Sequence, residues 1–235
     1  MYGCEVWGIC NVQKVESLYR QALKTALSVR NSVNNEIVYV ESGEYPLEVR
    51  IAQQQIKFWS SMQMLSTTNP SHYISKLIAA TEDTKYIKHY KNLVQKYTDP
   101  DKCTDILSNE FRNNYVAKIR SAADLDINSR LGTYAYINPS LTQPSFENKL
   151  EFPWVIITRY RTGSHNLRIE SGRTPYIPRE ERLCLCNNDL QTISHVMLHC
   201  PILTALREKY AVVDVENGLM IDNFLLEMEK ALGIK

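Results

Sequence analysis

The sequence predicts a mainly α protein: a helical bundle followed by a helical C-terminal segment that carries a small Cys/Cys/His/Cys knuckle. Three observations lead there. Long stretches place apolar residues at helical spacing, one stripe to a face. Eight glycines in 235 residues, with few Asn-Gly or Asp-Gly turns, argue against an all-β fold. Cys184, Cys186, His195 and Cys200 bring four soft ligands into 17 residues.

Taken in order, Val12 to Val29 carries Val15, Leu18, Tyr19, Ala22, Leu23, Ala26 and Leu27 as one apolar stripe, with Lys14, Arg20 and Lys24 outside it. Residues 31–35 read as a turn. Pro46 opens a second helix at its first turn, running to about Met64 and burying Val49, Ile51, Ile56, Trp59 and Met62. Asn69 and Pro70 punctuate, and a helix follows from about Ser71 to Ala80. Thr84 to Tyr97 reads as a further helix with Lys85, Lys88, Lys91 and Lys96 on its solvated face. Thr98 to Lys102 is turn-rich and is the best internal linker. Thr104 to Leu125 makes a long helix with Ile106, Leu107, Phe111, Tyr115, Ile119 and Ala122 on one side. Residues 138–145 hold two prolines and break regular structure. Phe152 to Thr158 fits a helix or a short strand equally. Asp222 to Leu232 is an amphipathic helix ended by Gly233.

Thiolates and an imidazole are the donor set that tetrahedral zinc selects, at about 2.3 Å and 2.0–2.1 Å. In an extended knuckle, residues two apart project to the same side, so Cys184 and Cys186 face one ion. Thr192 to His199 reads as a short helix that presents His195 and Cys200 one turn apart, and Pro201 then bends the path or starts a new helix. His199 is an alternative to His195, or an outer donor. The other reading of the thiols is small buried hydrophobes. Cys4, Cys10 and Cys103 are scattered, which suits a reducing compartment.

A net charge of +1 is low for a nucleic-acid binder, but its distribution is uneven. Arg159, Arg161, Arg168, Arg173, Arg179 and Arg182 stand against three glutamates, with Tyr160 and Tyr176 interleaved as stacking faces. A solvated basic face is the plain reading of such a run; nucleic-acid contact becomes the better one beside a zinc knuckle. No run approaches 18 apolar residues and the opening lacks a signal-peptide pattern, so an intracellular site, nuclear or cytoplasmic, is expected. Catalytic patterns are missing: no nucleophile elbow, no phosphate-cradling glycine loop, no zinc-protease helix.

Residues 159–173, followed by Ile177 to Cys184, His195 and then Cys200 with Pro201, resemble the C-terminal end of non-LTR (LINE-type) retrotransposon reverse transcriptases. Those proteins close on an arginine-rich stretch, a glycine–arginine pair and a CCHC knuckle. Tyr2 to Trp7 is similar to the motif that follows their palm, and residues 22–50 resemble the helical thumb that comes next. Two departures stand out: the first ligand pair is spaced by one residue, and Gln191 to Ser194 occupies the place of acidic residues before the histidine.

The resemblance implies a thumb-like domain over 1–97, a helical connector and linker over 98–145, and a basic helical segment with knuckle and C-terminal helices over 146–235. It implies structural zinc on Cys184, Cys186, His195 and Cys200. It also implies a grip on template RNA or target DNA through Tyr160 and the six arginines. The paired palm aspartates needed for nucleotidyl transfer do not occur, so this stretch itself would not polymerise. A competing expectation is a zinc-stabilised protein-interaction module, a transposon remnant in host use.

Overall fold

A computed structural model describes residues 12–65, 68–80, 88, 92–93, 95, 100–125, 129–141, 152–210 and 218–234. Among them the fold is mainly helical, and an antiparallel bridge between Leu183 and Leu190 is its one extended pairing. The longer helices are α1 (Val12–Ala26), α2 (Asn35–Ser42), α3 (Leu47–Gln63), α4 (Pro70–Ala80), α5 (Pro100–Leu125), α6 (Arg130–Ile137) and α7 (Phe152–Arg161). The short α8 (Arg168–Ser171), then α9 (Thr204–Tyr210) and α10 (Gly218–Ala231), complete the set. By contact the chain divides into one unit of residues 1–19 and 45–114 and another of 20–44 and 115–235, the three cuts falling within α1, between α2 and α3, and within α5.

In the first unit, α3 starts behind Pro46, whose ring has no N–H to leave unpaired and whose side chain offers no cap. The buried Glu16 carboxylate takes that role, accepting from the Leu47 N–H at 2.7 Å. Leu47 and Ile51 pack with Val12 and Tyr19, while Val49, Ile56 and Leu107 form a second cluster with Tyr45 and Phe111. Val49, Ile51 and Ile56 are buried as their spacing predicts, and Met62 is half-buried. The Trp59 side chain and most of the expected helix over Thr84–Tyr97 lie outside the described residues.

Three expectations need correction. On α1, Val15 and Leu18 are exposed while Glu16 and Lys24 are buried. The buried face is turned because Glu16 caps α3 and Lys24 donates to the Asn31 carbonyl at 2.8 Å, bonds that no hydropathy stripe encodes. On α5, Ile106 is exposed although Leu107 is buried. Finally, Pro100 to Lys102 are the first turn of α5 and not linker; proline at a first helical turn loses no hydrogen bond.

The second unit holds the larger core. In α10, Ile221, Phe224, Leu225 and Met228 recur at helical spacing and are fully buried, and the helix ends at Gly233 with φ +60. Leu203, Met197, Val196, Tyr160 and Leu167 complete that cluster. A neighbouring cluster joins Leu27, Ile37, Val38, Ile119 and Tyr134. α2 begins at Asn34, whose side chain accepts from the Glu36 N–H, and closes on Gly43 in the left-handed conformation. α7 resolves the ambiguity over 152–158 as helix and closes on Gly163 at φ +70.

Candidate metal centre

The knuckle is a tight hairpin. The Cys184 N–H donates to the Asp189 carbonyl at 2.8 Å, Asn187 N–H to Cys184 at 2.9 Å, and Gln191 N–H to Arg182 at 3.0 Å. Asn187 takes φ +56 at the tip, a left-handed position that asparagine tolerates better than most side chains. Alternation along the extended arm buries Cys184, exposes Leu185 and turns Cys186 back inward.

The opposite wall departs from the expected short α-helix. His195–His199 is a single π-helical turn, closed where the Cys200 N–H donates to the His195 carbonyl at 2.8 Å. The wider turn separates His195 from Cys200 by one full revolution and leaves both facing the hairpin. Thr192 Oγ1 accepts from the His195 N–H at 3.1 Å, and a 3-10 turn from Pro201 to Leu203 leads into α9.

The structure thus brings Cys184, Cys186, His195 and Cys200 together, their ligand atoms all within 4.8 Å of one another, close enough to hold a metal ion. Cys184 Sγ and Cys200 Sγ are 3.7 Å apart, and Cys186 Sγ lies 3.2 Å from His195 Nε2. Thiolate bonds of about 2.3 Å at tetrahedral angles would set two sulfurs about 3.8 Å apart, close to the 3.7 Å between Cys184 and Cys200. Far from disulfide distance, all three thiols are free. His199 is exposed and stands outside the cluster, which His195 joins instead.

The electrostatics of the four groups differ. Burial pushes the Cys184 thiol up to about 11, aided by its neighbour Cys200. The Cys186 thiol is pulled down: burial opposes this, but the hydrogen bond from the Asn188 backbone and those of the other two thiols outweigh it. His195 is lowered by burial, which favours its neutral imidazole. Its Nδ1 is buried and finds no hydrogen bond, with Asp189 Oδ2 facing it at 3.7 Å. Sequence reasoning missed Asp189. It supplies from the hairpin the carboxylate that the stretch before the histidine lacks, and only closure of the turn reveals this.

The arginine segment is wrapped around this centre, and its members differ. Tyr160 is fully buried against His165, ring centroids 5.2 Å apart, so it has no face to offer a base. Arg161 is buried too, its Nη2 bonded to both Asp222 oxygens at 2.7 and 3.0 Å. These two correct the expectation of surface contacts. Arg159 donates Nε to the Ser28 carbonyl, and exposed Arg168 donates to Leu183 while its N–H meets Gln191 Oε1 at 2.7 Å. Arg182 folds back to the carbonyls of Ile177 and Ile169. Gly172 makes that path available: a Cβ there would sit 2.8 Å from the Arg168 carbonyl and 2.9 Å from Arg182 Cδ and Nε. Arg173 pairs with Glu170 at 2.9 Å, and Arg179 is exposed.

No helix among the described residues is long and apolar enough to cross a membrane. Comparison with known proteins yields no match, whether to a family model, a curated protein or a solved structure.

Proposed function

We propose that the chain is a nucleic-acid-binding segment akin to the thumb and tail of a non-LTR retrotransposon reverse transcriptase, with a structural zinc ion on Cys184, Cys186, His195 and Cys200. The single observation that carries this reading is the convergence of those four side chains within 4.8 Å, in a stretch that follows in sequence on the six arginines of residues 159–182. Three sulfurs and one imidazole make a closed set, which suits structure rather than catalysis. When bound, the zinc neutralises thiolate charge and ties the hairpin to the π-helical turn. The protein's own groups do the rest: Gln191 pins the start of α8, Arg182 pins the 169–177 loop, and exposed Arg168, Arg173 and Arg179 are left to meet phosphates. Grip on RNA or DNA in the nucleus or cytoplasm follows from that reading, with the polymerase chemistry supplied by residues outside this stretch.

The test pairs metal content with binding. Purified protein is expected to hold one zinc per chain, and Cys184→Ser or Cys200→Ser to lose it while most helical circular dichroism remains. The zinc-loaded protein is expected to bind a labelled RNA hairpin or DNA duplex with an affinity that falls steeply with salt. Unchanged zinc in both variants would sink the ligand assignment. A folded, zinc-containing protein that binds no nucleic acid at low salt would favour a protein-interaction module, for which the +1 net charge and the exposed Leu183 and Leu185 already speak.

A further inference from the structure

One feature of the second unit is unused by the metal centre. A cleft of about 500 Å³, within the size range of ligand sites, opens between the start of α6 and the loop that follows α8. Its walls carry Arg130, Arg173, Arg179 and Arg182 against one acidic residue, Glu170. Glu170 is already shared: Arg30 reaches it at 3.3 Å and Arg173 at 2.9 Å. The cleft is therefore strongly positive in a chain whose net charge is only +1.

The four arginines are not equivalent. Arg182 is fixed as a wall by three bonds to carbonyls, and Arg130 by one from Nη1 to Ser32 at 2.6 Å. Arg179 is exposed, and its guanidinium makes no hydrogen bond or ion pair among the described residues. Arg173 is exposed, with Glu170 as its ion-pair partner. Fixed charge at the back and available guanidinium forks at the mouth are what a phosphodiester requires.

Between those two arginines in sequence, on the same loop but outside the cleft's lining, is Tyr176, 90% exposed, at φ +56. A tyrosine gains nothing from such exposure and is strained by that backbone angle. The turn is nonetheless held firmly. Tyr176 N–H donates to Arg173, Ile177 N–H to Gly172, and Arg182 grips the Ile177 carbonyl from Nε and Nη2 at 2.9 and 2.7 Å. Pro175 and Pro178 stiffen both flanks. The held backbone sets the ring out into solvent on the loop that supplies the phosphate donors.

We infer that this cleft is a binding site for single-stranded polynucleotide, with backbone phosphate held by Arg173, Arg179 and the fixed arginines, and an unpaired base stacked on Tyr176. The inference rests on the nucleic-acid reading above and sharpens it to a site and a strand form. A duplex keeps its bases stacked on one another, so it can use the arginines but not the ring. Selection for single strands therefore resides in Tyr176, and salt-dependent affinity in Arg173 and Arg179.

The experiment uses full-length, zinc-loaded protein with a labelled oligouridine strand and a labelled RNA duplex of equal length, across a salt series. Arg179→Ala and Arg173→Ala are expected to weaken both ligands and to lower the salt slope by roughly 0.7 to 0.9 each. Tyr176→Ala is expected to weaken the single strand by about tenfold with little effect on the duplex, and Tyr176→Phe to restore it. Lys230→Ala, on the far end of α10, serves as the charge control. Binding that persists unchanged in all three cleft variants overturns the site while leaving the nucleic-acid reading in place. Absence of binding to either ligand overturns both. Competition by inorganic phosphate as strong as by oligouridine would reduce the cleft to a small-anion site and overturn the strand assignment.

Discussion

His165 is fully buried and must be neutral to stay there. Its ring stacks on Tyr160, and its Nδ1 accepts from the Leu167 N–H at 3.3 Å, which only the unprotonated nitrogen can do. Burial, then the charges of Arg30 and Arg173, push its pKa down to about 3. The sign follows from linkage. As pH falls from 6.5, the unfolded chain takes up a proton that the folded imidazole refuses. Stability attributable to His165 is complete above pH 6.5 and is lost progressively down to about pH 3, at up to ~1.4 kcal/mol per pH unit. Denaturant titrations at stepped pH should show this slope in the native protein and a shallower one in His165→Gln. Equal slopes would remove His165 as the cause.

At the scale of the element, the knuckle is a hairpin and a π-helical turn held face to face. Asp189 links them, since its backbone closes the hairpin and its carboxylate faces His195 Nδ1. An outer carboxylate fixes the ring's tautomer and raises its basicity. Asp189→Asn is therefore expected to weaken metal binding by about tenfold in a chelator competition, with the helical signal unchanged. An unaltered affinity would mean the backbone bond alone positions the ring. The cluster of Cys184, Cys186, His195 and Cys200 was legible in the sequence because its members are close in the chain and chemically distinctive. Asp189 was not, since it sits among polar turn residues and gains its role only when the turn closes. The same division runs through the helices. α3, α4 and α10 followed from proline, glycine and periodicity, which are local signals. The short α2 and α6 escaped because eight residues carry too little period to register. The π-helical turn has no sequence period of its own. Tyr160 and Arg161 were misplaced because a run of arginines reads alike whether its partners are water or carboxylates far away in the chain.

Across the molecule, the distant carboxylates that Arg161 finds hold the second unit together. Glu41 comes from α2 and lies 3.6 Å from Nη1; Asp222 comes from α10 and receives Nη2. Glu41 Oε1 also accepts from Tyr134 Oη at 2.9 Å and Asn138 Nδ2 at 3.3 Å, which brings in α6 and its end. Burial alone would lower the guanidinium's pKa, but Glu41 and Asp222 outweigh it and hold Arg161 charged. Such a buried triad adds little net stability over an apolar substitute, yet removing one member strands the others. Arg161→Met leaves two carboxylates in the core without a countercharge and should cost about 3–5 kcal/mol, read from the denaturation midpoint. Adding Glu41→Gln and Asp222→Asn should return most of that loss, because the amides still hydrogen-bond and carry no charge. Native-like stability of Arg161→Met, or no recovery in the triple variant, would show that packing alone joins these helices. Recovery would assign the triad to specificity: it selects one arrangement of α2, α6, α7 and α10.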